Sequence, residues 1–79
     1  MMNSKIDQAI NFFENRNLNE SKKLCLEILE DEPKNFDALH LSGIIYFHLK
    51  NYKKSSELIS EALKINPKDA EAYNNMGIA

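Results

Sequence analysis

Residues 51–67 read NYKKSSELISEALKINP and end in Pro67, which lies 34 positions after the other proline of the chain, Pro33. Shifting the chain by the same 34 positions places like residues on one another at many sites. These pairs are Asn17 with Asn51, Ser21 with Ser55, Leu24 with Leu58, Leu29 with Leu63, Ala38 with Ala72 and Gly43 with Gly77. A gap-free period of this length indicates a repeat protein built from pairs of helices.

Apolar residues recur at three- and four-residue spacing between polar breaks, which predicts amphipathic helices. The predicted helices cover about 4–15, 18–31, 35–49 and a stretch that ends before Pro67. Ser4 and Asn35 are suited to cap the first and third helices, and Asp69 a fifth that runs to the end of the chain. The third helix is apolar around much of its circumference, so we expect it to be buried on two sides. No segment shows the alternation typical of a strand.

The composition favours one small helical domain over the large folds of most enzymes. The chain has 79 residues, of which 43% are hydrophobic and 28% charged, with two glycines and two prolines. Ten basic and twelve acidic residues give a net charge of −2, which favours neither nucleic acid nor an anionic membrane as a partner. The N-terminal apolar stretch is interrupted by charges, and no stretch is long enough to span a membrane. We therefore expect a cytoplasmic protein.

The residues that most often perform chemistry lack the necessary spacing. His40 and His48 lie about two helical turns apart and cannot hold one metal ion together. Cys25, the one cysteine, lies on an apolar stripe without a histidine nearby in sequence, so we expect a buried structural role. The prediction is a chain without catalytic residues, metal or cofactor. Whether the parent protein carries a catalytic domain beyond Ala79 stays open.

ALKINP at 62–67, followed by AEAYNNMGIA at 70–79, resembles the junction between consecutive units of the tetratricopeptide repeat (TPR) family. The resemblance covers the whole chain and implies an all-α fold, an α-solenoid whose antiparallel helix pairs stack into a right-handed superhelix. It implies a cap-like first repeat at 1–35, a second at 36–69 and the first helix of an incomplete third at 70–79. Ser42 and Ser55 stand where leucine and alanine are usual. The family's structural positions hold Leu39, Gly43, Tyr46, Ser55, Ile59, Ala62 and Pro67, then Tyr73, Met76 and Gly77.

The resemblance also implies a function, because the first helices of TPR units line a concave groove that binds peptides or partner helices. The groove positions hold Ile6, Ile10, Phe13, Asp37, His40, Ile44, Phe47, Asn74, Asn75 and Ile78. Isoleucines at equivalent positions would make an apolar row with a polar rim, which suits an amphipathic helix or an apolar peptide. The alternative is that these side chains pack against neighbouring helices. No nucleic acid, membrane or metal is expected as a partner.

Two further functions stay open. Residues 37–52 and 61–77 are similar to N-terminal repeats of bacterial glycosyltransferases of the O-linked N-acetylglucosamine transferase type. This implies a segment that recruits substrate for a larger enzyme, and Asn75 matches the asparagine with which that group holds a substrate backbone. The other alternative is self-association, because the last helix has no second helix as its partner and leaves an apolar edge around Tyr73 and Met76. Since the length equals two repeats plus one helix, we expect an N-terminal piece of a longer solenoid.

Overall fold

The computed structural model describes residues 4–66, which form four α-helices and, within that range, no strand. The helices are α1 (Lys5–Glu14), α2 (Leu18–Asp31), α3 (Phe36–His48) and α4 (Tyr52–Ile65). The predicted all-α class is confirmed, and the first three helices lie within one or two residues of their predicted bounds. The predicted fifth helix and the structural positions Pro67, Tyr73, Met76 and Gly77 lie outside the described residues. The division into repeats at 1–35, 36–69 and 70–79 stays a prediction.

Polar side chains cap α1 and α3 as the sequence predicts. Ser4 Oγ accepts a hydrogen bond of 3.2 Å from the Asp7 amide, and Asn35 Oδ1 accepts one of 2.9 Å from the Ala38 amide. Asn51 caps α4 in the same way. Each bond satisfies an N–H group of the first turn, which has no partner inside its own helix.

One type of turn joins the two helices of each pair. Arg16 and Lys50 occupy equivalent positions and both have a φ of 67°, in the left-handed region. The Arg16 amide donates to the Phe13 carbonyl at 3.0 Å, and the Asn17 amide donates to the Phe12 carbonyl at 2.8 Å. Both bonds recur 34 residues later in the turn between α3 and α4, each at 2.9 Å. This Schellman motif satisfies the last carbonyls of a helix and reverses the chain.

The helices pack mainly against their neighbours in sequence. α1 packs on α2, α2 on α3 and α3 on α4, while α1 also contacts α3. The main core cluster consists of the buried residues Ala9, Cys25, Leu41 and Ile45. α3 therefore lies between the α1–α2 pair and α4, and the expectation that it is buried on two sides is confirmed. Lys5 Nζ and Glu27 Oε1 form an ion pair of 3.6 Å between α1 and α2.

Buried serines hold the helices of each pair close together. Ser21 Oγ donates to the Ala9 carbonyl oxygen at 2.6 Å, and Ser55 Oγ donates to the Gly43 carbonyl oxygen at 2.7 Å. The two bonds are related by the period of 34 residues. Both hydroxyls are buried, and a buried hydroxyl needs a partner. The hydrogen bond thus accounts for a hydroxyl at Ser55, where the family usually has alanine.

Candidate functional site

Packing within the fold leaves one side of α3 accessible. Six residues of this helix are buried: Ala38, Leu39, Leu41, Ser42, Gly43 and Ile45. Asp37, His40, Ile44 and Phe47 follow one another at three- and four-residue spacing and therefore share a side of the helix. Asp37 is exposed, and the other three are half-buried. This side of α3 therefore combines apolar and polar groups.

α1 adds a second row beside it. Ile10 lies 34 positions before Ile44 and is 40% exposed. Asp7 and Glu14 are spaced three and four residues from Ile10, so they lie on the same side of α1, and both are exposed. The two rows lie on helices that contact each other. We call the surface they form the inner face, which consists of Asp7, Ile10, Glu14, Asp37, His40, Ile44 and Phe47.

The structure distributes the predicted groove residues between the inner face and the core. Ile6 and Phe13 are half-buried and pack against the main core cluster. These two side chains therefore pack between the helices, which was the alternative interpretation of the groove residues. That either of them also contacts a partner stays a prediction. Asn74, Asn75 and Ile78 lie outside the described residues. Asp7 and Glu14 were not predicted to lie in the groove, although their helical spacing from Ile10 is a signal that identifies them.

Aromatic rings extend the inner face at both ends of α3. The rings of Phe36 and His40 are tilted with their centroids 5.5 Å apart, and Phe47 meets Tyr52 of α4 edge to face at 5.3 Å. Tyr52 is 55% exposed. Aromatic side chains bury much apolar area with few rotatable bonds, so these rings suit a contact surface.

A cleft of about 320 Å³ lies at one end of the inner face, beside the turn between α1 and α2. It is lined by Phe13, Glu14, Arg16, Leu18 and His48. The Phe13 and His48 rings, with their centroids 5.7 Å apart, join α1 to α3 there. Glu14 and Arg16 are both exposed, and within residues 4–66 they form no ion pair with each other. The cleft combines apolar walls with charged groups of both signs.

Cys25 is the one strongly perturbed titratable group in the described part of the chain. Its side chain is fully buried, as predicted, and burial raises its pKa from the ordinary 9.0 to about 12. The thiol is therefore protonated at neutral pH and is a poor nucleophile. Among residues 4–66 no group of three His, Cys, Asp or Glu side chains is placed to hold a metal ion. In the same range no helix has the length and apolarity needed to cross a membrane.

Comparison with known proteins agrees with the repeat seen in sequence and structure. A family model described as tetratricopeptide repeat matches residues 1–76. No curated protein and no solved structure matches the chain significantly. The match confirms the resemblance inferred from the 34-residue period, whereas the similarity to glycosyltransferase repeats stays a prediction.

Proposed function

The chain belongs to the tetratricopeptide repeat family, whose members are in general protein-interaction modules, and we propose that it binds a peptide or a partner helix on the inner face. The observation that supports this proposal is the pair Ile10 and Ile44. They occupy equivalent positions on neighbouring helices, and neither belongs to the core clusters of the described residues. A partner that covered both would bury apolar surface that the fold leaves accessible.

Burial of the two isoleucines would make a measurable contribution to binding. Burying apolar surface is worth about 25 cal/mol per Å², so covering a partly exposed isoleucine contributes on the order of 1 kcal/mol. A single exposed apolar residue is common on protein surfaces and needs no explanation. Recurrence at the same repeat position, beside the rings of Phe47 and Tyr52, is what makes a contact surface the better interpretation.

We propose a non-catalytic role, as a partner-binding scaffold in the cytoplasm. Repeats of this family typically bind other proteins without performing chemistry, and the Cys25 thiol is buried and protonated. The net charge of −2 does not favour nucleic acid as a partner. The two alternatives, a recruiting segment of a glycosyltransferase and self-association through Tyr73 and Met76, depend on residues outside the described range and stay predictions.

A peptide selection followed by affinity measurements tests the proposal. Peptides selected from a random 12-residue display library against the 79-residue chain are labelled, and their binding is measured by fluorescence anisotropy. The double variant Ile10→Ser, Ile44→Ser is expected to weaken binding at least fivefold, because it removes apolar area at the centre of the inner face. Leu26→Ser is the matched control, since Leu26 is 38% exposed but lies on α2.

Circular dichroism of both variants must show unchanged helicity, so that a loss of binding cannot reflect unfolding. If the double variant binds the selected peptides as tightly as the unchanged chain does, the binding surface lies elsewhere and the proposal is wrong. Loss of binding in Leu26→Ser alone would indicate that the binding site lies on α2 or α4 and not on the inner face.

A further inference from the structure

Charge is unevenly divided between the two kinds of helix. The helices of the inner face, α1 and α3, carry one lysine, Lys5, and the three carboxylates of Asp7, Glu14 and Asp37. The outer helices, α2 and α4, carry five lysines and the six carboxylates of Glu20, Glu27, Glu30, Asp31, Glu57 and Glu61 between them. Both kinds of helix therefore have a formal excess of negative charge, of two on the inner helices α1 and α3 and of one on the outer helices. Lysines nearly balance the carboxylates of the outer helices, whereas the inner helices have one lysine for three carboxylates.

The single lysine of the inner helices does not neutralise this excess. Its Nζ atom pairs with Glu27 of α2 at 3.6 Å. Within residues 4–66, no ion pair forms at Asp7, Glu14 or Asp37. All three are exposed and lie on the inner face with Ile10 and Ile44. On α1, Ile10 therefore lies between two carboxylates that have no cationic partner in the described structure, and on α3 Asp37 lies about two turns before Ile44.

Local helix energetics explain two of these carboxylates but not the third. Asp7 and Asp37 lie in the first turns of α1 and α3, where the helix dipole favours negative charge. Glu14 is the last residue of α1, at the end where the dipole disfavours negative charge, and that last turn holds no basic residue. Glu14 also lines the cleft formed with Phe13 and Leu18. A carboxylate that costs its own helix stability and borders an apolar cleft suits a cationic partner.

We infer that the inner face takes a protein segment that presents lysine or arginine beside apolar side chains. The inference rests on the proposed function and adds the charge of the partner to it. The apolar side chains cover Ile10 and Ile44, and the cations meet Glu14 and Asp37. Arg16, in the turn after Glu14, is an arginine that lines the cleft in the described structure, and its positive charge repels the cations of the partner there. Complementary charge raises the association rate and selects among apolar segments, so acidic partners are rejected.

Three synthetic 14-residue peptides labelled with fluorescein test the inference by anisotropy against the whole chain. One combines leucine with lysine in an amphipathic helical pattern, the second has glutamate in place of lysine, and the third has serine in place of leucine. We expect the leucine–lysine peptide to bind at least tenfold more tightly than the other two. Its affinity should fall as salt is raised from 50 to 500 mM, because exposed charges are screened.

Substitutions assign the effect to particular carboxylates. Glu14→Gln should weaken binding of the leucine–lysine peptide about two- to fivefold, and Glu14→Gln with Asp37→Asn about tenfold, as for exposed charge pairs. Glu57→Gln on α4 makes the same charge change outside the inner face and should leave affinity unchanged. Arg16→Gln should leave affinity unchanged or increase it. Glu14→Gln should not lower the melting temperature, which separates the binding effect from a structural one.

Each other outcome overturns the inference in a distinguishable way. Equal binding of the two leucine peptides, weakened by Ile10→Ser with Ile44→Ser, would leave the proposed function intact and remove its charge preference. Equal binding of the serine–lysine peptide would show attraction by net charge alone. Binding of the leucine–lysine peptide that neither the carboxylate nor the isoleucine variants change would place the contact on another surface. No binding of any peptide at about 1 mM, an affinity near the lower limit of useful recognition, would also contradict the inference.

Discussion

Gly43 of α3 lies so close to Ile59 of α4 that a Cβ atom on Gly43 would come within 2.6 Å of the Ile59 Cδ1 atom. The equivalent positions 34 residues earlier hold Ala9 and Cys25, both fully buried. In the first helix pair, Ala9 has a methyl group and Cys25 opposite it is small. In the second pair, Gly43 has no side chain and Ile59 opposite it is large. The two helix pairs thus fill the same contact with opposite distributions of volume.

Gly43→Ala is therefore expected to destabilise the chain. Overpacking costs about 1–3 kcal/mol, whereas replacing glycine by alanine inside a helix returns about 1 kcal/mol. The net expectation is a loss of about 1 kcal/mol in the free energy of unfolding. Urea denaturation followed by circular dichroism measures it, and a gain in stability would contradict the close contact.

Combining Gly43→Ala with Ile59→Cys should recover part of that loss, because the double variant copies the Ala9 and Cys25 pair. Ile59→Cys alone is costly, since it leaves a cavity in the core. The two changes together should cost about 1 kcal/mol less than the sum of the single changes, as expected for residues in contact. Strict additivity would show that the two side chains do not compete for the same space.

Two substitutions at Ser21 distinguish the contribution of its hydrogen bond to stability from that of the close packing between the helices. Ser21→Ala removes the bond to the Ala9 carbonyl, worth about 1 kcal/mol, but alanine favours the helix by about 0.5 kcal/mol, so a small loss is expected. Ser21→Val adds bulk where the helices approach and should cost about 2 kcal/mol. Thermal unfolding compares both with Ser60→Ala, an exposed control on α4. Equal effects of alanine and valine would contradict the tight fit.

The pKa of Cys25 predicts a dependence of stability on alkaline pH. Burial raises it to about 12 in the folded chain, so the unfolded chain loses the thiol proton first, near the ordinary 9.0. The stabilisation is complete below that pH and is lost as the pH rises from about 9 towards about 12. The slope approaches at most about 1.4 kcal/mol per pH unit.

Comparison with Cys25→Ala isolates this effect, because every other ionisable side chain is present in both proteins. The difference in unfolding free energy between the two should narrow as the pH rises above 9.0, the ordinary pKa of the thiol. Iodoacetamide should modify the native thiol slowly and the urea-unfolded thiol rapidly. Rapid modification of the native chain would mean that Cys25 is accessible.

Lys50→Gly should stabilise the turn between α3 and α4. A residue other than glycine in the left-handed conformation lowers the free energy of unfolding by about 1–2 kcal/mol. Glycine removes this strain, but it also makes the unfolded chain more flexible, which cancels about 0.5–1 kcal/mol of the gain. We expect a net gain of about 0.5 kcal/mol, measured by urea denaturation. Lys53→Gly, in the first turn of α4, is the opposite control and should lose up to about 1 kcal/mol. A loss in both variants would contradict the turn geometry.

The sequence predicted the elements of the fold because each depends on local patterns. Apolar spacing located the helices, and Ser4 and Asn35 identified their first residues. The distribution of side chains between core and surface needed the structure. Phe13 and Ile10 both belong to the apolar stripe of α1, yet only Phe13 packs on the core cluster, since the position of α3 decides which side is covered. The serine hydrogen bonds were not predicted either, because they join residues 12 positions apart on different helices.

The order of helix contacts also governs how the molecule opens. In the described structure α4 packs on α3 alone, whereas α3 is covered by α1, α2 and α4. In a chain whose helices contact only neighbouring helices, the free energy of local unfolding differs from helix to helix. The rates at which the amide protons of the helices exchange with solvent differ accordingly. We expect α4 to exchange faster than α3, which native-state hydrogen exchange would measure. Part of the inner face therefore lies on the helix that opens last, so transient loss of α4 would leave Ile44 in place.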